Sequence, residues 1–429
     1  MASMDHSQGL LGKRHTVLVL WRFSARLMLP AIALAIGYLR LAYCLDSPSQ
    51  AVLSYRWYTY ACMSDISSLF SSRGMAFPAI PYRDYQFEYP VGTGTFAYVC
   101  AVLAGLVNRS GVSTNPTLSY FSVTAVLLTL CGLATVWWTS AMPGARRGDV
   151  VFLSLGMVCA AFLNWDLLTV ALTAAALYAW SRNDPGLCGV LLGCGAASKV
   201  YPALLLLPLL LVCLRERRLK FFIRTAALTL LVLAGFNLPY LSGSMRNGWA
   251  LFFTFNRQRP AGYGSVWFLV ERILSVNWSV ERLNVVSGVA FFACALGIWL
   301  LGRYAPRPPQ LGELAFLTIA AFLLTSKVWS AQYELWLLPL AVLTKLPRPL
   351  LYSWLCTETT YFVALCWYFN GLAGGAGPVI SESVFLGALG MRWVLSAVLC
   401  VLIVRRTCCA NRLGVPHPAT ACYPGTPTG

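Results

Sequence analysis

The chain has 429 residues, of which 58% are hydrophobic and 11% charged. Soluble globular proteins run at about 45–50% apolar and about 25% charged. This composition therefore excludes a soluble enzyme, a disordered chain and a fibre, and leaves an all-α polytopic membrane protein. The net charge of +17 comes from 32 Lys+Arg against 15 Asp+Glu. It reads as basic cytoplasmic loops, not nucleic-acid binding, because no soluble basic domain is present to carry nucleic acid.

Arg14, Arg22 and Arg26 precede the first apolar stretch, 27–45, and no small-residue cleavage site is evident, so this is read as an uncleaved first span. Arg40 lies near its outer end and is expected to snorkel. A polar segment follows to Pro90, then apolar runs at 91–107, 118–138, 150–180, 186–214, 219–238, 284–302, 311–325, 333–346, 350–369 and 382–404. The run 150–180 would be about 46 Å long as one helix, against about 30 Å of hydrocarbon. Asn164-Trp165-Asp166 interrupts it, and Ser198-Lys199-Val200-Tyr201-Pro202 interrupts 186–214. Each is expected to be a pair of short helices meeting at one face, with the polar breaks lining a wet hollow.

The run 91–107 decides the topology. If it spans, the clusters at Arg146-Arg147, 215–220, Arg303/Arg307, Lys345/Arg348 and Arg405-Arg406 fall outside. If it lies along the outer surface, they all fall inside with the N-terminus, as the positive-inside rule asks. The second arrangement gives about twelve spans and both termini cytoplasmic; ten spans result if the two long runs are single tilted helices. The domain is then 1–404, with outer loops 46–117 and 239–283 and a disordered cytoplasmic tail 405–429.

The three histidines, His6, His15 and His417, all lie in the tails. A histidine catalyst or metal site in the body is not expected, nor is any cofactor. The 15 cysteines sit mostly in apolar runs without a C-x-x-C pair, though Cys44 and Cys62 could meet across the first loop. Gly92-Thr93-Gly94 and the glycines at 371–375 match no phosphate-binding loop.

The outer face holds the carboxylates Asp65, Asp84, Glu88 and Asp166, of which any could act as a general base toward a sugar hydroxyl. The plainer alternative for Asp84 and Glu88 is pairing with Arg83 and Arg73. The outer cations Lys199, Arg257, Arg259 and Lys327 suit a lipid-linked phosphate, with headgroup snorkelling as their alternative.

The string from Pro81-Tyr82-Arg83-Asp84 to Glu88-Tyr89-Pro90 resembles a signature of the actinobacterial membrane glycosyltransferases of family 87. So do Ser64-Asp65-Ile66, Asn164-Trp165-Asp166, Lys199-Val200-Tyr201-Pro202, the stretch from Asn256-Arg257 to Trp267, and Ser326-Lys327 through Gln332-Tyr333 to Pro339. Val91-Gly92 departs from the pattern of many relatives.

The resemblance implies a GT-C bundle of transmembrane helices, with interfacial helices in the first outer loop. It implies transfer of a sugar, mannose by family habit with arabinose as the alternative, from a polyprenyl-phosphate donor to a glycolipid or glycan acceptor in cell-envelope biosynthesis at the plasma membrane. The active site would be extracytoplasmic, with an aspartate of the first outer loop as base. It also places Tyr82, Tyr89, Asn164, Trp165, Tyr201, Trp267, Gln332 and Tyr333 beside the substrate. The alternative class is a lipid or solute transporter or flippase, since broken helices with charges at the break also serve transport.

Overall fold

The computed structural model describes residues 27–46, 56–146 and 148–408. The N-terminal basic residues, Arg147, Cys409, all three histidines and the tail beyond Cys408 lie outside them. Among the described residues the protein is all-α, with no strand beyond an isolated bridge between Pro81 and Tyr85. It is a polytopic membrane protein. Helix α1 is Leu27–Leu45, α2 Asp65–Arg73, α3 Val91–Arg109, α4 Pro116–Ala141, α5 Asp149–Ala160, α6 Asp166–Ser181 and α7 Pro185–Ser198. Then come α8 Tyr201–Arg215, α9 Leu219–Asn237, α10 Arg246–Gln258, α11 Val266–Leu274, α12 Val280–Tyr304 and α13 Leu311–Thr325. Last are α14 Ala331–Leu343, α15 Arg348–Leu372 and α16 Glu382–Cys408.

The basic clusters gather at one end of the bundle. Arg146 and Arg406 both donate to the Lys345 carbonyl, at 3.0 and 3.3 Å. Arg348 faces Asp149 at 3.6 Å, Arg215 donates to the Ala305 carbonyl at 2.9 Å, and the Arg307 amide reaches Thr407. The helix breaks carrying Asn164 and Lys199 lie at the other end. Among the described residues, α1, α4 to α9 and α12 to α16 run between these two ends.

Both long apolar runs are pairs of helices. α5, α6 and α7 have 12, 16 and 14 residues, about 18 to 24 Å each and short of the hydrocarbon thickness. Their junctions are therefore sunk below the rim. Sequence explains the tight pairing of α7 with α9. Glycines recur along Pro185–Ser198, and a Cβ at Gly189 or Gly193 would press on the α9 backbone. That close approach lets Thr225 and Thr229 donate across to the Pro185 and Gly189 carbonyls, at 2.9 and 3.1 Å.

Among the described residues six helices, α3 among them, are individually long and apolar enough to cross a membrane. Yet both ends of α3 meet elements of the Lys199 end. Thr93 donates to the Ser198 carbonyl at 2.6 Å. Near the other end, Arg109 lies over the Phe77 ring of the preceding loop. Asn115, just beyond, reaches the Leu45 carbonyl at the end of α1 at 3.4 Å. An upright helix about 28 Å long would place its ends on opposite faces. α3 therefore lies along the Lys199 end, with α2, α10 and α11.

Two expectations change. Arg40 does not snorkel: it donates to the Ala61 carbonyl and, at 3.0 Å, to that of Cys159, because its face of α1 packs against the bundle. The last helix continues through Arg405-Arg406 to Cys408, since Arg406 and Thr407 have partners at the basic end. A disulfide joins Cys44 to Cys62.

Deep between α15 and α16, Arg392 pairs with Glu358 at 2.7 Å, both side chains fully buried. Arg392 also donates to the Trp329 and Ser330 carbonyls, at 3.2 Å each. Arg392→Met strands Glu358 and is expected to destabilise the fold by about 3–5 kcal/mol. The double variant Arg392→Met/Glu358→Gln recovers part of that loss. Thermal unfolding in detergent measures both.

Candidate active site

Asp65 opens α2 and is anchored from three directions. Its amide donates to the Leu163 carbonyl at 2.7 Å. Ser64 Oγ donates to the Phe162 carbonyl at 2.7 Å. Three residues upstream, Cys62 is bonded to Cys44 of α1. The start of α2 is thus pinned to the α5–α6 junction and to the end of α1.

The junction supplies Asn164. Its Oδ1 accepts the Trp165 amide at 2.7 Å, which turns Nδ2 toward Asp65 Oδ2 at 2.8 Å. Tyr89 Oη donates to the same Oδ2 at 3.2 Å. Neither bond uses Oδ1. Burial pushes the Asp65 carboxyl above the usual carboxylate range, while Asn164, then Lys199 and Tyr89, pull it back down.

Asp166 opens α6 and is fully buried. Its Oδ1 accepts from Trp336 Nε1 at 2.7 Å and faces Lys199 Nζ at 3.4 Å. Its Oδ2 has no partner among the described residues. Lys199 Nζ stands 4.9 Å from the Tyr89 ring centroid and 5.5 Å from that of Tyr333. Trp336 is stacked between Tyr201 and Tyr333, at 4.3 and 4.0 Å. Segments 170 residues apart, at Asp166 and Trp336, thus close into one wall.

Three cavities surround these groups. A polar one of about 230 Å³ is lined by Asp65, Glu88, Tyr89, Asn164, Lys199, Arg259, Gln332 and Tyr333, among others. An apolar groove of about 550 Å³ between α3, α7, α9 and α10 shares Tyr89, Pro90 and Phe252 with it. A third cavity, of about 240 Å³, shares Asp65, Arg259, Ser330 and Gln332.

Other candidates lie elsewhere. Asp84 is exposed and bonded to Arg83 at 2.8 Å and to the Ile80 amide, which together hold its pKa down to about 2. Glu88 lines the polar cavity but is paired with Arg73 at 2.9 Å. The pairings of Asp84 and Glu88 with Arg83 and Arg73 are both present. Arg257 is exposed and lines no cavity wall described above. Lys327 points its Nζ at the Arg257 and Arg259 carbonyls, at 3.0 and 2.8 Å. It braces the segment that carries Arg259 and does not face the cavity.

Tyr82 is a brace as well, its hydroxyl donating to the Tyr89 and Pro90 carbonyls. Trp165 packs behind Tyr89 and Phe87. Trp267 is tied to the Thr325 carbonyl at 2.8 Å. Gly92 and Gly94 serve close packing: a Cβ on Gly92 would strike Ala197, and one on Gly94 the Tyr82 ring.

Sequence reasoning missed the α10 residues that line the groove and the polar cavity, Trp249, Phe252, Phe253, Phe255 and Asn256. Their signal was an aromatic stripe at helical spacing inside a stretch read as loop. Among the described residues no three His, Cys, Asp or Glu side chains group as metal ligands would.

A family model described as Glycosyltransferase family 87 matches residues 87–329, more than half of the chain. No curated protein matches it.

Because Asn164 and Lys199 both favour the charged form of Asp65, removing either raises its pKa further. An infrared titration of the Asp65 carboxyl should show deprotonation above the ordinary Asp range, displaced to still higher pH in Asn164→Ala and in Lys199→Met. A downward displacement in either would contradict the assignment.

Proposed function

The chain belongs to glycosyltransferase family 87, and we propose that this membrane glycosyltransferase moves mannose from a polyprenyl-phosphate carrier to a glycolipid or glycan acceptor on the extracytoplasmic face of the plasma membrane. The observation that carries this reading is the confluence at Tyr89 and Pro90. There an apolar groove between helices runs into a polar cavity lined by two half-buried carboxylates, Asp65 and the Arg73-paired Glu88, and by two cations. A lipid tail with a charged, sugar-bearing head needs such a pairing of surfaces.

The polyprenyl chain lies in the groove among Ala196, Ala203, Leu233 and Phe252. The phosphate sits by Lys199 and Arg259, a point charge and a forked donor. Asp65 accepts the proton of the acceptor hydroxyl. That oxygen bonds to the anomeric carbon from the face opposite the phosphate, inverting it. The bond from carbon to phosphate oxygen breaks, and its electron pair leaves with polyprenyl phosphate.

Lys199 and Arg259 offset the charge developing on that oxygen, so a metal ion is not needed for its neutralisation. Asp166 holds Lys199 in place. Asn164 and Tyr89 orient Asp65, and Gln332 and Tyr333 border the transferred sugar. Holding both substrates in one hollow supplies much of the rate.

Two features favour the extracytoplasmic side. The basic clusters lie at the opposite end of the bundle, as cytoplasmic loops do. The Cys44–Cys62 disulfide lies at the active-site end and suits an oxidising compartment.

Asp65→Asn is expected to lower transfer from radiolabelled polyprenyl-phosphate-mannose by at least about 100-fold while donor binding persists. Transfer near the wild-type rate would move the base elsewhere. Dialysis against EDTA should leave the rate of the purified enzyme unchanged, and a loss restored by a divalent cation would contradict the charge-neutralising role of the cations.

A further inference from the structure

The third cavity has no part in the account so far. It meets the polar cavity at Asp65, Arg259, Ser330 and Gln332, yet none of its lining residues belongs to the apolar groove. Asp65 is therefore the one carboxylate common to a chamber that communicates with the groove and a chamber that does not. The remaining wall is apolar apart from tyrosine hydroxyls: the aromatic residues Tyr263, Trp329, Tyr361 and Phe369 stand among glycines and aliphatic side chains. Its only charged lining residues are Asp65 and Arg259, and Arg259 also lines the polar cavity.

This wall is held rigidly from behind. The Arg392 guanidinium lies 4.2 Å from the ring centroids of both Trp329 and Tyr361. It is fixed by Glu358 and by the Trp329 and Ser330 carbonyls. Gly264 packs so closely that a Cβ there would overlap the Trp329 carbonyl oxygen.

We infer that this third cavity is the acceptor site, and that it takes an uncharged polyhydroxylated ring, a sugar or a cyclitol, in preference to a phosphorylated one. An aromatic wall with a few placed polar groups fits a ring with an apolar face and hydroxyl edges. A phosphorylated ring would require a cation that the wall lacks once Arg259 serves the donor. The ring's hydroxyl points through the shared boundary to Asp65, and the cavity of about 240 Å³ admits the ring while any lipid tail stays outside the donor groove. The inference rests on Asp65 acting as the base of the transferase.

The test uses the full-length protein in detergent and an uncharged methyl hexoside carrying a diazirine on the ring, with its 6-phosphate as comparison. Photolabelling should fall on peptides containing Gly262, Tyr263 and Gly264 or Val328 to Ala331. It should drop at least tenfold in Tyr263→Ala and persist in Asp65→Asn. Labelling of groove peptides around Ala196 or Phe252 overturns the inference. So does labelling no greater than that of heat-denatured protein, or stronger labelling by the 6-phosphate. Because labelling needs no turnover, it fails independently of the reading of Asp65 as the base, which an active Asp65→Asn would sink.

Discussion

The hydrogen bond from Asn164 to Asp65 joins two things that a membrane protein cannot leave apart: a broken helix and a charge below the rim. Where α5 stops short of a full crossing, its last carbonyls and the following turn need partners. The carbonyls of Phe162 and Leu163 find them in Ser64 and in the Asp65 amide. In return Asn164 bonds the carboxylate. The second break repeats the device, since Lys199 is retained by Asp166 and by two tyrosine faces. At both breaks a polar side chain is met by another placed to receive it, and the result is a polar centre sunk among apolar helices.

The same economy separates binding from bracing. Of the four candidate phosphate-binding cations on this face, Lys199 and Arg259 line the polar cavity, while Lys327 secures the backbone of 257–259 and Arg257 is exposed. The aromatic residues divide likewise. Tyr89 and Tyr333 touch the cavity and carry the ammonium between them, whereas Tyr82 and Trp165 fix the loop from which Tyr89 projects. Charged residues deeper in the bundle act through the segment that crosses the mouth: Arg392 holds the carbonyls of residues 329 and 330, and Ser330 lines both chambers at their boundary.

Much of this was legible in the sequence because lipid imposes simple rules. Run lengths against bilayer thickness revealed that 150–180 and 186–214 had to break, and the polar residues at the breaks marked where. The basic clusters fixed one end of the bundle and, by elimination, set α3 on its side, as its end contacts bear out. What stayed hidden depended on contacts between distant segments. Arg40 looked like a snorkelling residue because nothing local shows that α1 is enclosed near Cys159. Glu358 and Arg392 are 34 residues apart on two apolar helices, so neither announces its partner. α10 and α11 were read as loop because short amphipathic helices at an interface carry no continuous apolar run. Asp65 lies upstream of the residues that the family model matches, so its place at the centre rests on the fold and its hydrogen bonds.

The proposed transfer requires the polar hollow and both long loops on the extracytoplasmic face, with the basic end opposite. Labelling intact cells with a membrane-impermeant thiol reagent tests this most directly, in a background whose exposed native cysteines are replaced. Asp84→Cys and Arg257→Cys should react from outside, and Lys345→Cys only after permeabilisation. Reaction of Lys345→Cys in intact cells, with the other two protected, would contradict it.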